Sequence, residues 1–377
     1  MSSDPTVQWA ENGDTRTAWW RSQSDFSPPK RILIGRDDMK ADVAYRLACE
    51  GTAILWRGDF QNARQMLSAI ARRMKNKPRK RTVSPATSPA QAFHLYRMAQ
   101  SQRARTLGRL LLPFETDHSV PLRRAPDARQ ACLEAFGPAV APYIASMRDL
   151  LGAIGAHEWR KNGVEIPALG DRIHPHYGVF SPVRGEYVEL LAQAPIPSLK
   201  LAFDIGTGTG VLAAVLARHG LKRVVATDLD PRALACAREN IARLGLADQV
   251  DVVQADLFPP GRAPLVVCNP PWIPARPSSS LDQAVYDPDS RMLRGFLQGL
   301  GVHLEPGGEG WLILSDLAEH LGLRTRAELL AAFEDGGLKV VDQIDTRPVH
   351  RKAFDRTDPL HMARSAEVTS LWRLTAG

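Results

Sequence analysis

Apolar residues recur with different periods in the two parts of the chain. Up to about residue 165 the spacing is helical. Segments near 38–50, 59–76, 89–110 and 126–153 place apolar residues at i, i+3 and i+4. In the second, Phe60, Ala63, Met66, Leu67 and Ile70 fall on that spacing, with Asp59 ahead of them as an N-cap. Residues 1–165 therefore predict a mainly helical domain. Its first ~28 residues are polar with scattered tryptophans and predict little order. Residues 78–89, rich in Ser and Pro, read as a linker.

From 166 to 377 the pattern changes to short apolar runs between helical stretches. LAFDIG (201–206), RVVATD (223–228), DVVQAD (251–256), LVVCNP (265–270) and GWLILSD (310–316) read as strands. Residues 210–219, 231–245, 289–303 and 323–336 read as the helices between them. This alternation predicts an α/β fold: a doubly wound, Rossmann-like, mostly parallel sheet with helices on both faces. KVVDQID (339–345) and VTSLWRLT (368–375), joined by a long polar stretch, predict an antiparallel hairpin at its C-terminal edge.

Composition excludes several classes. The chain has 377 residues, 44% of them apolar and 24% charged, which is ordinary for a globular protein. No apolar run approaches the ~18 residues of a membrane span, and the N-terminus lacks a secretory pattern. Four dispersed cysteines show neither zinc-ligand nor disulfide spacing, which fits a cytoplasmic location. Charge is uneven. Residues 1–199 hold 28 Lys/Arg against 19 Asp/Glu, whereas residues 200–377 hold 20 against 22. A basic run, RRMKNKPRKR (72–81), and Arg97, Arg103, Arg105 and Arg109 near Phe93 and Tyr96 are candidate nucleic-acid contacts. A solvated basic surface would look the same.

The chemistry concentrates in 203–272. FDIGTGTGVLA (203–213) sets Gly206, Gly208 and Gly210, with Thr207, between a strand and a helix. Glycines there let a ligand approach a helix N-terminus. Asp228 ends the next strand, 18 residues beyond Gly210, where an acid can hydrogen-bond a ribose diol. The upstream Asp204 would repel a pyrophosphate and suits an amino-bearing ligand, favouring S-adenosylmethionine (SAM) over NAD. ADLF (255–258) offers Asp256 to an adenine amine. NPPW (269–272) fixes the chain extended after a strand, so that Asn269 can accept from a planar –NH2 group on which Trp272 stacks. His174 and His176 lack the carboxylate spacing of a metal site, and no metal is expected.

FDIGTGTG, ATDLDPRALACARENI, ADLF and NPPWI, in that order, resemble class I SAM-dependent methyltransferases with the N-P-P-aromatic signature, over roughly residues 170–345. The resemblance implies SAM as cofactor and methylation of an amide or exocyclic nitrogen. NPPWI followed by LDQAVYDPDSRMLRGFL is most similar to the protein glutamine methyltransferases. The chain departs from them in HPHYGVFSPVRGEYVELL (174–191), where Glu186 is kept and a usual Thr is missing, and in Trp272, where Tyr is usual. By this resemblance Asp204, Gly206, Thr207, Gly208 and Gly210 would hold the amino-acid part of SAM. Asp228 and Leu229 would hold the ribose, and Asp256 and Leu257 the adenine. Phe180 and Pro182 would line a cofactor lid. Asn269, Pro270 and Trp272 would be catalytic.

The expected function is SAM-dependent methylation of a protein glutamine in the translation machinery. The alternatives are methylation of an RNA base, or RNA binding on a non-catalytic SAM fold. A third, an NAD-dependent enzyme, lacks any residue pair for the nicotinamide side.

Overall fold

The computed structural model describes residues 5–23, 26–76, 88–277, 281–348 and 354–377. The chain divides into two compact units, one of residues 1–85 with 94–158 and one of residues 86–93 with 159–377. The division falls seven residues before the expected boundary at 165, within the helix Met147–Asn162.

The N-terminal unit is not mainly helical. It holds a six-stranded mixed sheet: β1 (Thr6–Glu11), β2 (Asp14–Trp20), β3 (Ile32–Gly35), β4 (Ala53–Trp56), β5 (Leu110–Phe114) and β6 (Tyr143–Ser146), in the order β1-β2-β6-β5-β4-β3. The expected helix over 126–153 is instead a helix Arg129–Phe136, strand β6 and the helix Met147–Asn162. Helical period missed these strands for a physical reason. β4 and β6 are buried at all four positions. A strand covered on both faces has no polar alternation, and a short apolar run has the same look inside a helix. Ile54 and Trp56 face one core with Phe60, Ala63 and Ile70 of the helix Phe60–Asn76. Ala53 and Leu55 face the other, against Val7, Trp9 and Trp20 of the first hairpin.

That hairpin also corrects the expectation of little order near the N-terminus. Asn12 (φ 55°) and Gly13 (φ 89°) form the positive-φ pair of a two-residue hairpin turn. Asp59 caps the helix Phe60–Asn76, its Oδ1 accepting from the Gln61 N–H at 2.8 Å. Of the basic run 72–81, residues 72–76 end this helix, while 77–81 and most of the linker 78–89 lie outside the described residues.

In the C-terminal unit a short ribbon, β7 (Val164–Ile166) with β8 (Asp171–Ile173), precedes a seven-stranded sheet. Its strands are β9 (Leu201–Ile205), β10 (Arg223–Asp228), β11 (Val250–Gln254), β12 (Ala263–Cys268), β13 (Leu304–Ser315), β14 (Leu338–Thr346) and β15 (Thr369–Ala376), in the order β11-β10-β9-β12-β13-β15-β14. β11 to β13 are parallel, and β15 pairs antiparallel with both β13 and β14. After β9 the chain winds to one side through β10 and β11, then returns to the other side at β12. A crevice therefore opens beyond the C-terminal ends of β9 and β12, where ligands bind in open α/β sheets.

The pleat sends alternate residues to two cores. Ala202, Val224, Ala226, Leu265 and Val267 pack with the helix Val211–Arg218. That helix is buried from Val211 to Ala217. Phe203, Ile205, Val266 and Cys268 pack with the helices Arg291–His303 and Arg326–Asp335. On that second face Gly310 of β13 lies flat against Leu300; a Cβ there would overlap Leu300 Cδ2 and come within 2.8 Å of Cδ1. Gly310→Ala is therefore expected to destabilise the protein by about 1–3 kcal/mol, the usual cost of overpacking a core. A lowered urea midpoint measures it, and an unchanged midpoint would show that Leu300 moves freely aside.

Candidate functional site

Three turns meet at the crevice. The first follows β9. Gly206, Gly208 and Gly210 all have positive φ (72°, 57° and 81°), and Gly210 caps the helix Val211–Arg218. Glycine adopts these angles at no steric cost. Space differs between them: a Cβ on Gly206 would strike Met292 Cε, whereas one on Gly208 would touch nothing. The open side of the loop is therefore over Gly208.

Asp204 is fully buried. Its Oδ2 accepts from Thr207 Oγ1 at 2.6 Å and from the Ala213 N–H at 3.1 Å, tying the loop to the first turn of the helix. Its other oxygen, Oδ1, is buried without a hydrogen-bond partner among the described residues. β-pleating sends residue 204 to the same side as Ala202, beneath the helix, so the carboxylate holds the loop from inside. Burial pushes its pKa up to about 6, against the lowering effect of its two hydrogen bonds. Thr207, also buried, donates its N–H to the Thr227 carbonyl at 2.8 Å.

The second turn follows β10. Asp228 is half-buried at the rim, accepting from the Gly208 N–H (3.0 Å) through Oδ2 and from the Asp230 N–H (3.0 Å) through Oδ1. Burial raises its pKa as well. Each oxygen keeps a lone pair, so the carboxylate can accept two hydroxyl protons. Leu229 beside it is exposed. Leu257 carries a positive φ of 72°, which a branched side chain rarely adopts. Its carbonyl accepts from Thr227 Oγ1 at 2.6 Å, which fixes that turn. Asp256 is exposed and pairs with Arg291 at 3.2 Å.

The third turn follows β12. Trp272 Nε1–H donates to Asn269 Oδ1 at 2.8 Å. The indole is thus bonded to the amide as well as placed beside it, and one Oδ1 lone pair remains for another donor. The Ile273–Tyr286 bridge and the hydrogen bond from the Asp287 N–H to the Ile273 carbonyl (2.9 Å) fasten the turn to the following segment. Asp287, buried, accepts from the N–H groups of Met292 and Leu293, both at 3.1 Å, at the start of the helix Arg291–His303.

Several supporting residues were not among the sequence candidates. Asn240 is buried and binds the HPHY segment to the glycine loop: its Oδ1 accepts from the His174 N–H (2.8 Å) and its Nδ2 donates to the Thr209 carbonyl (3.1 Å). The signal was a polar residue on the apolar stripe Ala233, Ala237, Ile241 of its helix. His174 and His176 bond to the Arg160 carbonyl and to Glu239; no group of residues suited to a metal ion occurs among the described residues. Phe180 is half-buried against the core and Pro182 is buried, so both pack. Arg184 lies over the Trp272 ring, 5.4 Å from its centroid, and pairs at 3.1 Å with Glu367, whose Oε1 also accepts from Ser315 Oγ at 2.7 Å. A buried carboxylate just ahead of β15 is thereby linked to Asn269 through Arg184 and Trp272.

Two outcomes follow. A carboxylate whose folded pKa lies above its unfolded value of about 3.8 favours the folded state as it gains a proton. Relative to Asp204→Asn, the wild type should gain about 2 kcal/mol of stability between pH 7 and pH 4. Urea melts of both proteins at the two pH values measure this, and parallel curves would contradict it. Arg184→Met should cost more stability than the double variant Arg184→Met/Glu367→Gln relative to Glu367→Gln, with a coupling of about 1–3 kcal/mol in a double-mutant cycle. Additivity would show that the pair is not coupled.

A family model described as ribosomal protein L11 methyltransferase (PrmA) matches residues 189–287. The release factor glutamine methyltransferase of Cereibacter sphaeroides is 32% identical over 182 residues, 44% of this chain and 63% of that protein. The release factor glutamine methyltransferase of Moorella thermoacetica is 39% identical over 124 residues, 31% of this chain and 44% of that protein. The tRNA1(Val) (adenine(37)-N6)-methyltransferase of Shewanella loihica is 28% identical over 186 residues, 46% of this chain and 74% of that protein. The chain thus spans less than two thirds of the length of either glutamine methyltransferase. No helix among the described residues is long and apolar enough to cross a membrane. Through the stretch that holds the glycine loop, Asp228 and the NPPW turn, the chain is similar to methyltransferases named for ribosomal protein L11, for release-factor glutamine and for tRNA adenine.

Proposed function

We propose that the C-terminal unit is a SAM-dependent N-methyltransferase whose target is the side-chain amide of a protein glutamine in the translation machinery. The observation that carries this reading is the Asn269 amide, held by the Trp272 indole at the mouth of the crevice that the glycine loop also lines. The relatives named for glutamine methylation support the choice of target.

The residues fit SAM. The open backbone over Gly208 admits its amino-acid part, and the half-buried Asp228 carboxylate has lone pairs for a ribose diol. Asp204 acts on the cofactor through the shape of the loop. Leu257 presents a fixed turn to the adenine. Asp256 enters this scheme only by leaving Arg291. SAM bound there supplies a methyl group on a sulfonium, an electrophile that needs no acid catalysis. The protein's task is alignment of the acceptor nitrogen. An amide nitrogen is a poor nucleophile because its lone pair is delocalised. The free lone pair of Asn269 Oδ1 and the Pro270 carbonyl accept the two –NH2 protons, which favours the nitrogen geometry of the transition state. The Trp272 N–H keeps the Asn269 carbonyl oxygen from exchanging places with its –NH2. Arg184 holds the indole ring by its face.

Methylation of an RNA base is the second reading. It is favoured by the tRNA adenine relative and by the basic front part of the chain. Both readings use the same planar nitrogen chemistry, so one assay separates them. Labelled SAM is added with the purified protein to a lysate of cells lacking it, and samples are treated with protease or RNase. Label removed by protease supports glutamine; label removed by RNase transfers the reading to RNA. Asn269→Ala should lower turnover about 10²–10³-fold, as for loss of one transition-state hydrogen bond, and leave SAM affinity within a few-fold by calorimetry. Retained turnover would end the planar-nitrogen reading.

A further inference from the structure

The helix Phe60–Asn76 of the N-terminal unit contains no Asp or Glu, and neither does the next helix, Pro89–Leu107. Its apolar face is used up: Phe60, Ala63, Met66 and Ile70 are buried in the core of the sheet. Its solvent face carries Gln61, Arg64, Gln65, Ser68, Arg72 and Lys75, half-exposed at Gln61 and exposed at the others. At 100° per residue these six fall within about 100° of arc, and they run along about 21 Å of helix. Among the described residues Arg64, Arg72 and Lys75 lie in no ion pair, and nor does Arg105 on the next helix. Arg73, on the flank, is neutralised by Asp42 at 2.6 Å. The expected basic surface along Arg97, Arg103, Arg105 and Arg109 is mostly turned inward. Arg97, Arg103 and Arg109 are half-buried, with Arg103 bonded to the Ala71 carbonyl, and only Arg105 is exposed.

We propose that this stripe is a docking surface for the phosphate backbone of RNA. Charge complementarity names the partner. The stripe sets cations among Gln and Ser, the side chains that contact phosphate and sugar, and it has no aromatic residue on which a base could stack. It therefore grips a backbone without reading sequence. Its three cations unpaired among the described residues can neutralise about three phosphates. A membrane surface does not fit, because the helix keeps no apolar residue free for insertion. That the nucleic acid is RNA and not DNA rests on the proposed function. The unit then serves to bring the catalytic unit to a ribonucleoprotein.

The test is salt-dependent binding of the full-length protein to a fluorescently labelled RNA hairpin and to duplex DNA of the same length. Wild type should prefer RNA, with log K falling linearly as log salt rises. The triple variant R64Q/R72Q/K75Q keeps good helix formers at exposed positions. It should lower the slope by about two to three and weaken RNA binding about ten- to a hundredfold at low salt. An equal slope and affinity in the variant would overturn the proposal. A preference for DNA would overturn it too, as would displacement of the RNA by polyglutamate as readily as by unlabelled RNA. SAM binding of the same preparations, followed by calorimetry, should be unchanged in the variant. Absence of SAM binding in wild type would instead sink the enzymatic reading and leave the binding curves to decide the stripe alone.

Discussion

The site depends on one buried carboxylate. Asp204 sits under the glycine loop with no solvent to share its charge, and a single oxygen receives both the Thr207 hydroxyl and the first-turn N–H of Ala213. Three glycines at positive φ make a loop that is costly to order, because glycine loses more freedom on folding than any other residue. The carboxylate fixes that loop from below while Asp228 takes the Gly208 N–H from the side. Two acids on adjacent strands thus meet at one loop, and burial raises the pKa of both. The desolvation of these two carboxylates is the cost of presenting a bare backbone, with no side chain in the way, at the switch point of the sheet.

The second support comes from far along the chain. Ser315 at the end of β13 and Glu367, two residues before β15, are hydrogen-bonded but 52 residues apart in sequence. Through Arg184 they reach the indole of Trp272, and through the indole they reach Asn269. The amide at the candidate reaction centre is thus oriented by a packed sequence of contacts that begins in the antiparallel part of the sheet. Asn240 does the same for the segment before β9, bonding His174 and the glycine loop with one side chain. Orientation in this unit is carried by buried polar groups, where a lost partner is costly.

The C-terminal unit was largely legible because its signals are local. β9, β10, β11 and β12 are apolar runs bounded by Gly, Pro and Asp, and the glycine loop and NPPW turn sit at their ends. The N-terminal sheet was not, since β4 and β6 are too short and too evenly buried to show a period. The Asn12–Gly13 pair was a legible hairpin signal between VQWA and TRTAWW, obscured by the polar residues around it. Side-chain direction was half legible. Pleating alone places residue 204 with Ala202, on the face of the sheet under the helix Val211–Arg218. The Trp272–Asn269 bond and the Glu367–Arg184 pair were beyond sequence, because nothing in spacing says which distant groups a fold brings within 3 Å.

β15 follows β14 in the chain yet lies between β13 and β14 in the sheet. A chain made from its N-terminus exposes β13 long before the strand that covers it exists. β14 emerges next and finds no partner, since its only neighbour is β15. A sheet of five strands must wait with β13 as a bare edge until Thr369–Ala376 inserts. Glu367 arrives just ahead of that strand. The contact that steadies Trp272 therefore forms late in synthesis, so a chain stopped short of it holds a finished glycine loop beside an unsecured amide.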